Sequence, residues 1–295
     1  MLLLERFFPD FGAWISVILF SFYGAFLIYQ MLDSTKTATY RNISWLIFSV
    51  FFFSQFLLGL FVDDRFLMSG KLHLPIPMII LAGPLFRWEI GFMTILFLST
   101  IILSGPAWCS QLCYFGALDN AMSGKGKIVK KSISKLPFKT TGLSIVILSA
   151  LFLRFLNIPL QIVAVLSISF GLIGLIIILF ISPKKKKMIH CTLYCPIGTI
   201  VNITSKIHPF QMYIDDACNS CLKCTSFCKY DALDLKNIKN HKPSYSCTLC
   251  GDCIQSCHSQ SIKYKFFNFS SANARTIYLA TSISLHAIFM ALARL

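Results

Sequence analysis

CNSCLKCTSFC, residues 218–228, and CTLCGDCIQSC, residues 247–257, decide how the rest of the chain is read. Both runs follow the spacing C-x2-C-x2-C-x3-C. Cys218, Cys221, Cys224 and Cys228 are thus matched by Cys247, Cys250, Cys253 and Cys257. Thiols this close would compete to pair wrongly in a disulfide framework, which in any case belongs to oxidising compartments. Zinc sites typically pair two cysteines with two more and need no third at this spacing. Three thiolates on one loop do suit three corners of a cubane iron–sulfur cluster, with the fourth corner supplied from elsewhere. A reducing compartment follows from that chemistry.

Outward from the runs, the chain turns apolar. Hydrophobic residues make up 56% of its 295 positions, more than a soluble domain of that size needs. The excess lies in long stretches: Phe11–Leu32, Ile43–Val62, Trp88–Ser104, Thr141–Asn157, Leu160–Ser182 and Thr276–Ala293. Each approaches the ~20 residues needed to cross a hydrocarbon core. The first is too long for the apolar part of a signal peptide, and Glu5, Arg6 and Asp10 precede it, so it reads as a retained span. Leu74–Phe86 is also apolar, but Pro75, Pro77, Gly83 and Pro84 make it an interfacial or re-entrant stretch.

The net charge of +15 would suggest a nucleic-acid partner in a soluble protein. Here no basic recognition motif is visible, and the lysines gather beside the spans. Lys125, Lys127, Lys130, Lys131, Lys135 and Lys139 follow the third stretch, and Lys184, Lys185, Lys186 and Lys187 follow the fifth. The positive-inside rule makes both loops cytoplasmic, and six spans then put both termini outside. No nucleic-acid partner is expected, while membrane lipid is.

A second pattern lies at these loops. Cys109-x3-Cys113-Tyr-Phe-Gly-Ala-Leu follows the third stretch and Cys191-x3-Cys195-Pro-Ile-Gly-Thr-Ile follows the fifth. The two are copies of one unit, about 86–125 and 165–205, at one membrane face. If each C-x3-C is helical, its thiols stand at i and i+4 on one face. Cys109, Cys113, Cys191 and Cys195 then offer four sulfurs to a third redox or metal site between facing helices. Packing is the competing reading, since a free cysteine behaves as a small apolar residue.

The two cysteine runs resemble bacterial-type 2[4Fe-4S] ferredoxins over about fifty residues, with Lys229 and His258 where that family has proline. The resemblance implies crossed ligation. Cys218, Cys221, Cys224 and Cys257 would hold one [4Fe-4S] cluster; Cys247, Cys250, Cys253 and Cys228 would hold the other. It also implies two short β-hairpins and two helical turns. Residues 86–265 as a whole resemble the polyferredoxin-type membrane proteins of the NapH and NosR kind. Their C-x3-C-P elements flank spans; here Pro196 keeps the proline and Tyr114 replaces it. This resemblance implies electron transfer between the quinone pool and a redox partner protein. The related CcoG-like proteins are linked to copper handling, which soft thiolates would suit, and imply the alternative of a metal-ion reductase or assembly factor.

The resulting plan is an all-α transmembrane bundle with a C-terminal α+β 2[4Fe-4S] ferredoxin domain. About six spans are expected, within a range of four to six. Residues 1–205 form the membrane region with its two C-x3-C units, 206–275 the ferredoxin domain and 276–295 a last membrane segment. The domain carries nine basic against five acidic residues, which suits an anionic partner face or lipid surface. The expected cofactors are two [4Fe-4S] clusters, with a third centre at the C-x3-C pairs. The expected location is the bacterial inner membrane with the ferredoxin domain in the cytoplasm. Nothing resembles a dinucleotide fingerprint, a P-loop or a nucleophile elbow, so no catalytic residue is assigned; the chain reads as an electron-transfer subunit of quinol dehydrogenase type. Reporter fusions in the loops 125–139 and 184–187 should both give a cytoplasmic signal, and a periplasmic signal at either would invert this orientation.

Overall fold

The computed structural model describes residues 2–67, 76–124 and 135–292. Lys125, Lys127, Lys130 and Lys131 of the first basic loop lie outside the described residues, as do Leu74 and Pro75.

Among the described residues, six helical segments are long and apolar enough to cross a membrane: Gly12–Leu32, Thr37–Phe61, Phe92–Leu112, Leu136–Phe155, Leu160–Lys185 and Ser271–Leu292. At 1.5 Å per residue even the shortest reaches ~30 Å, the thickness of the hydrocarbon core. The bundle opens with α1 (Gly12–Leu32) and α2 (Thr37–Phe61). A short α3 (Ile79–Arg87) follows, which holds Pro84 and stops at Trp88 in the left-handed region. That agrees with a stretch too interrupted to be a straight span.

The third span differs from its expected bounds of 88–104. Trp88 at φ 62° and the extended Gly91 delay its start, so α4 runs Phe92–Ser104. Gly105, at φ 57°, and Pro106 then break it into a 3-10 turn, and a π-helical turn over Trp108–Leu112 completes the span. Next come α5 (Tyr114–Met122), α6 (Lys135–Phe155), α7 (Leu160–Ile176), a π turn over Ile177–Ile181, α8 (Ser182–Lys185), a π turn over His190–Tyr194 and α9 (Pro196–Thr204). The fourth and last spans also start earlier than the apolar stretches suggest, at Leu136 and Ser271.

Residues 206–270 carry β1 (Phe210–Ile214), a 3-10 turn at Lys223–Ser226, α10 (Leu235–Lys239) and β2 (Ile262–Phe266), and α11 (Ser271–Leu292) closes the described chain. The expected two hairpins are corrected here. Among the described residues there is one antiparallel pair, β1 with β2, in the register Phe210↔Phe266, Met212↔Tyr264 and Ile214↔Ile262. These strands are the first and last of the segment, so the sheet ties its ends together and leaves both cysteine runs as loops between them. Phe210, Met212, Ile214, Ile262 and Tyr264 point inward. Tyr264 stacks on Tyr278 of α11 with ring centroids 5.0 Å apart, which seats the sheet on that helix.

The α4 span and α11 are the most enclosed helices, and α6 and α7 the most exposed. The exposed faces are apolar, as with Phe152, Phe155, Leu172 and Ile176, which is the pattern of lipid-facing helices and not of a soluble surface. Small residues set the close contacts. The Ile76 side chain lies against Gly171, and the His190 ring lies against Gly174 where a Cβ would come within 2.8 Å.

Candidate metal centres

The two C-x3-C units share one local design. In each, a five-residue π turn ends at the second cysteine, whose N–H bonds the carbonyl five residues back: Cys113 to Trp108 at 3.0 Å and Cys195 to His190 at 2.9 Å. Cys113 and Cys195 are both extended, with φ/ψ of −87°/113° and −73°/118°, and each caps a nine-residue helix, α5 or α9. This corrects the expectation of two thiols at i and i+4 on one α-helix, because the second cysteine of each pair lies outside the turn. π turns are rare and cluster at functional sites. Tyr114 in place of the proline leaves the geometry unchanged. Gly116 and Gly198 occupy equivalent places, and a Cβ on either would come within 3.0 Å of the Cys109 or the Cys191 carbonyl.

Carbonyls of the first unit are met by side chains from other elements. Cys109 O accepts from Tyr230 Oη at 2.6 Å, Ser110 O from Arg41 Nη1 at 3.1 Å and Cys113 O from Trp45 Nε1 at 3.0 Å. The Gln111 carbonyl meets His286 Nδ1 at 2.9 Å. Ser110 Oγ donates to Thr248 O at 2.9 Å, which joins the unit directly to the second cysteine run. Beside the second unit, Met188 N–H donates to Lys229 O at 3.2 Å, and Lys187 pairs with Asp231 at 3.1 Å.

The structure brings Cys109, Cys113, Cys191 and Cys195 together. The Cys191 thiol is held well above its ordinary range by burial, then by the neighbouring Asp119, Cys113, Cys195 and Cys109. Burial likewise pushes Cys113 up to about 12, with Cys195 the next cause. The N–H of Gly116 points at Cys113 Sγ at 3.4 Å. In the cysteine-rich segment, Cys228, Cys247, Cys250 and Cys253 line one pocket, with Met212, Tyr230 and Leu233. The fourth cysteine of the first run thus lies with the first three of the second. Cys224 is raised to about 11 by burial and then by Cys257, Cys218 and Cys221, so the reciprocal foursome also shares one neighbourhood. Of the twelve cysteines only Cys221 is exposed.

Donor chemistry fits an iron–sulfur cluster. Buried thiols resist ionisation until a metal charge displaces their protons. Backbone N–H groups already point at sulfur, as from Ala232 to Cys228 Sγ at 3.2 Å. Among the described residues no group of three or more His, Cys, Asp or Glu side chains is arranged to hold a single metal ion. Thiols around a cubane stand further apart than ligands on one ion, because the cube lies between them.

Sequence reasoning missed four residues here. Arg41 stands just before the apolar stretch that marked the second span, and it is fully buried. Asp252 lies inside the second cysteine run, where only the cysteines drew notice. Tyr230 follows the first run by two residues. Asp119 stands near a run of lysines, yet it is buried, accepts from Ser182 Oγ at 2.5 Å and from Cys191 N–H at 3.0 Å, and so joins the two units. His190 is buried with neither ring nitrogen bonded.

Residues 85–134 and 168–212 match a family model described as a 4Fe-4S binding domain, one segment around each C-x3-C unit. Comparisons with curated proteins and with solved structures give no match. The match and the six apolar helices together support an iron–sulfur electron-transfer role for a membrane protein.

Burial raises the Asp119 carboxyl from 3.8 to about 6, against the hydrogen bonds from Ser182 and Cys191. Between those values the folded protein holds a proton that the unfolded chain releases. Asp119 therefore makes the cluster-free protein lose stability as pH rises from about 4 to about 6, with no further change above. Thermal unfolding across that range should show the slope, and Asp119→Asn should remove it.

Proposed function

We propose that this chain is a membrane electron-transfer protein of the NapH and NosR kind. It would carry single electrons through three iron–sulfur centres between the quinone pool or a membrane partner and a redox partner protein. The observation that carries the reading is the pocket lined by Cys228, Cys247, Cys250 and Cys253, which mixes the two runs as crossed ligation requires. Cys218, Cys221, Cys224 and Cys257 hold the other [4Fe-4S] cluster of a C-terminal ferredoxin domain. Cys109, Cys113, Cys191 and Cys195 hold a third centre. The family match at both C-x3-C units supports an iron–sulfur centre there over a copper ion.

Bound clusters supply one-electron acceptors at fixed positions. The protein's own residues orient the ligands and exclude water. Tyr230 and Ser110 fix the first C-x3-C unit against both cysteine runs. Burial falls from Cys195 and Cys253 to the exposed Cys221, which gives the chain a shielded end in the bundle and an open end at the surface. The open end is where a soluble partner would exchange electrons, and the net positive charge of residues 206–275 suits an acidic one. The lysines beside the spans orient this end to the cytoplasm of a bacterial cell.

Protein purified without oxygen should contain about twelve irons, four per cluster, and replacing Cys109 and Cys191 by Ala should lower this to about eight with the remaining EPR signals kept. Zinc in place of iron after anaerobic reconstitution would contradict the reading. Copper lost on the same replacement would favour the metal-handling alternative.

A further inference from the structure

Arg41 carries a full charge at 0% exposure near the start of α2. Its Nε and Nη2 form a fork on Asp252, at 2.8 Å to Oδ1 and 2.6 Å to Oδ2. Its remaining nitrogen atom donates to the Ser110 carbonyl, and Nη2 also reaches Asn42 Oδ1 at 2.7 Å. The guanidinium carbon lies 5.1 Å from the centre of the Trp45 ring. Trp45 packs in one cluster with Tyr230, Cys191, Cys228 and Cys250. Asp252 stands between Cys250 and Cys253 in sequence and lines the pocket that those cysteines share.

A buried ion pair is a costly way to fasten a loop, since well-packed apolar residues do it as well or better. What apolar residues cannot do is place opposite charges beside a group whose own charge changes. We propose that Arg41 and Asp252 together set the reduction potential of the centre held by Cys228, Cys247, Cys250 and Cys253. The inference rests on the reading that these thiolates hold a [4Fe-4S] cluster.

The sign of each contribution follows from electrostatics in a water-poor site. The centre becomes more negative by one unit when it gains one electron and returns that electron on reoxidation. Arg41 and Asp252 exchange neither electron nor proton. A positive neighbour stabilises the reduced form and raises the potential, and a negative neighbour lowers it. The two act on the Cys250 thiol in opposite directions. In the native protein they largely cancel, so removing either one exposes the other. Arg41 is a positioning residue in the same act. It ties the loop of the second run to the first C-x3-C unit through Asp252 and Ser110, which holds two centres in fixed relation.

The test is a potentiometric EPR titration of the full chain, purified anaerobically in detergent. The centre is assigned by the change of its signal in a Cys250→Ser variant. Arg41→Gln should lower its midpoint and Asp252→Asn should raise it. Each shift should be on the order of tenfold in the reduced-to-oxidised ratio, about 59 mV for one electron. The double variant should return close to the native value, and Arg41→Lys, which keeps the charge, should stay near it. The centre assigned to Cys218, Cys221, Cys224 and Cys257 should move in none of them. If Arg41→Gln does not load iron, the sign of the Asp252→Asn shift decides alone. Single variants that shift the midpoint the same way, or not at all, in protein that holds both clusters overturn the inference. A native protein without [4Fe-4S] signals overturns the underlying reading, and this one with it.

Discussion

Four peptide carbonyls at the first C-x3-C unit, those of Cys109, Ser110, Gln111 and Cys113, each meet a side chain from elsewhere in the fold. The partners are Tyr230, Arg41, His286 and Trp45, drawn from the cysteine-rich segment, from α2 and from α11. A backbone that leaves α-helical geometry near hydrocarbon must find such partners, because no water is there to supply them. The cysteine-rich segment has the complementary need: a short chain with few core side chains must fold against something. One set of hydrogen bonds meets both requirements, and it ties the first C-x3-C unit to the cysteine-rich segment and to two helices of the bundle.

That dependence explains what the sequence could and could not reveal. Apolar length is a property of single segments, so six spans were legible from composition alone. Their ends were not. Gly105 and Pro106 look like the end of a helix, yet the chain continues as a π turn to Leu112 because Arg41 and Tyr230 accommodate it. The repeat was legible as matched Cys109/Cys113 and Cys191/Cys195 spacing, whereas the extended conformation of Cys113 and Cys195 was not, since it goes with the close approach of the Cys109 and Cys191 carbonyls to Gly116 and Gly198, three residues after Cys113 and Cys195. Arg41 was illegible for a different reason. A basic residue beside an apolar stretch ordinarily faces the interface, and only the partner at Asp252, 211 residues on in the chain, turns it inward.

The cysteines differ in exposure across the same geometry. Cys195 and Cys253 are buried, and Cys221 stands at the surface. Tyr230, bonded to the Cys109 carbonyl, and Asp119, bonded to the Cys191 N–H, are both buried. Tyr230 ties the first C-x3-C unit to the cysteine-rich segment, and Asp119 ties the two C-x3-C units to each other.

Anomalous scattering at the iron edge, from crystals of anaerobically purified protein, tests this arrangement most directly. The account predicts iron at three places: among Cys218, Cys221, Cys224 and Cys257; among Cys228, Cys247, Cys250 and Cys253; and among Cys109, Cys113, Cys191 and Cys195. Iron absent from the C-x3-C cysteines, or cysteine runs that each bind their own four thiols without crossing, would contradict it.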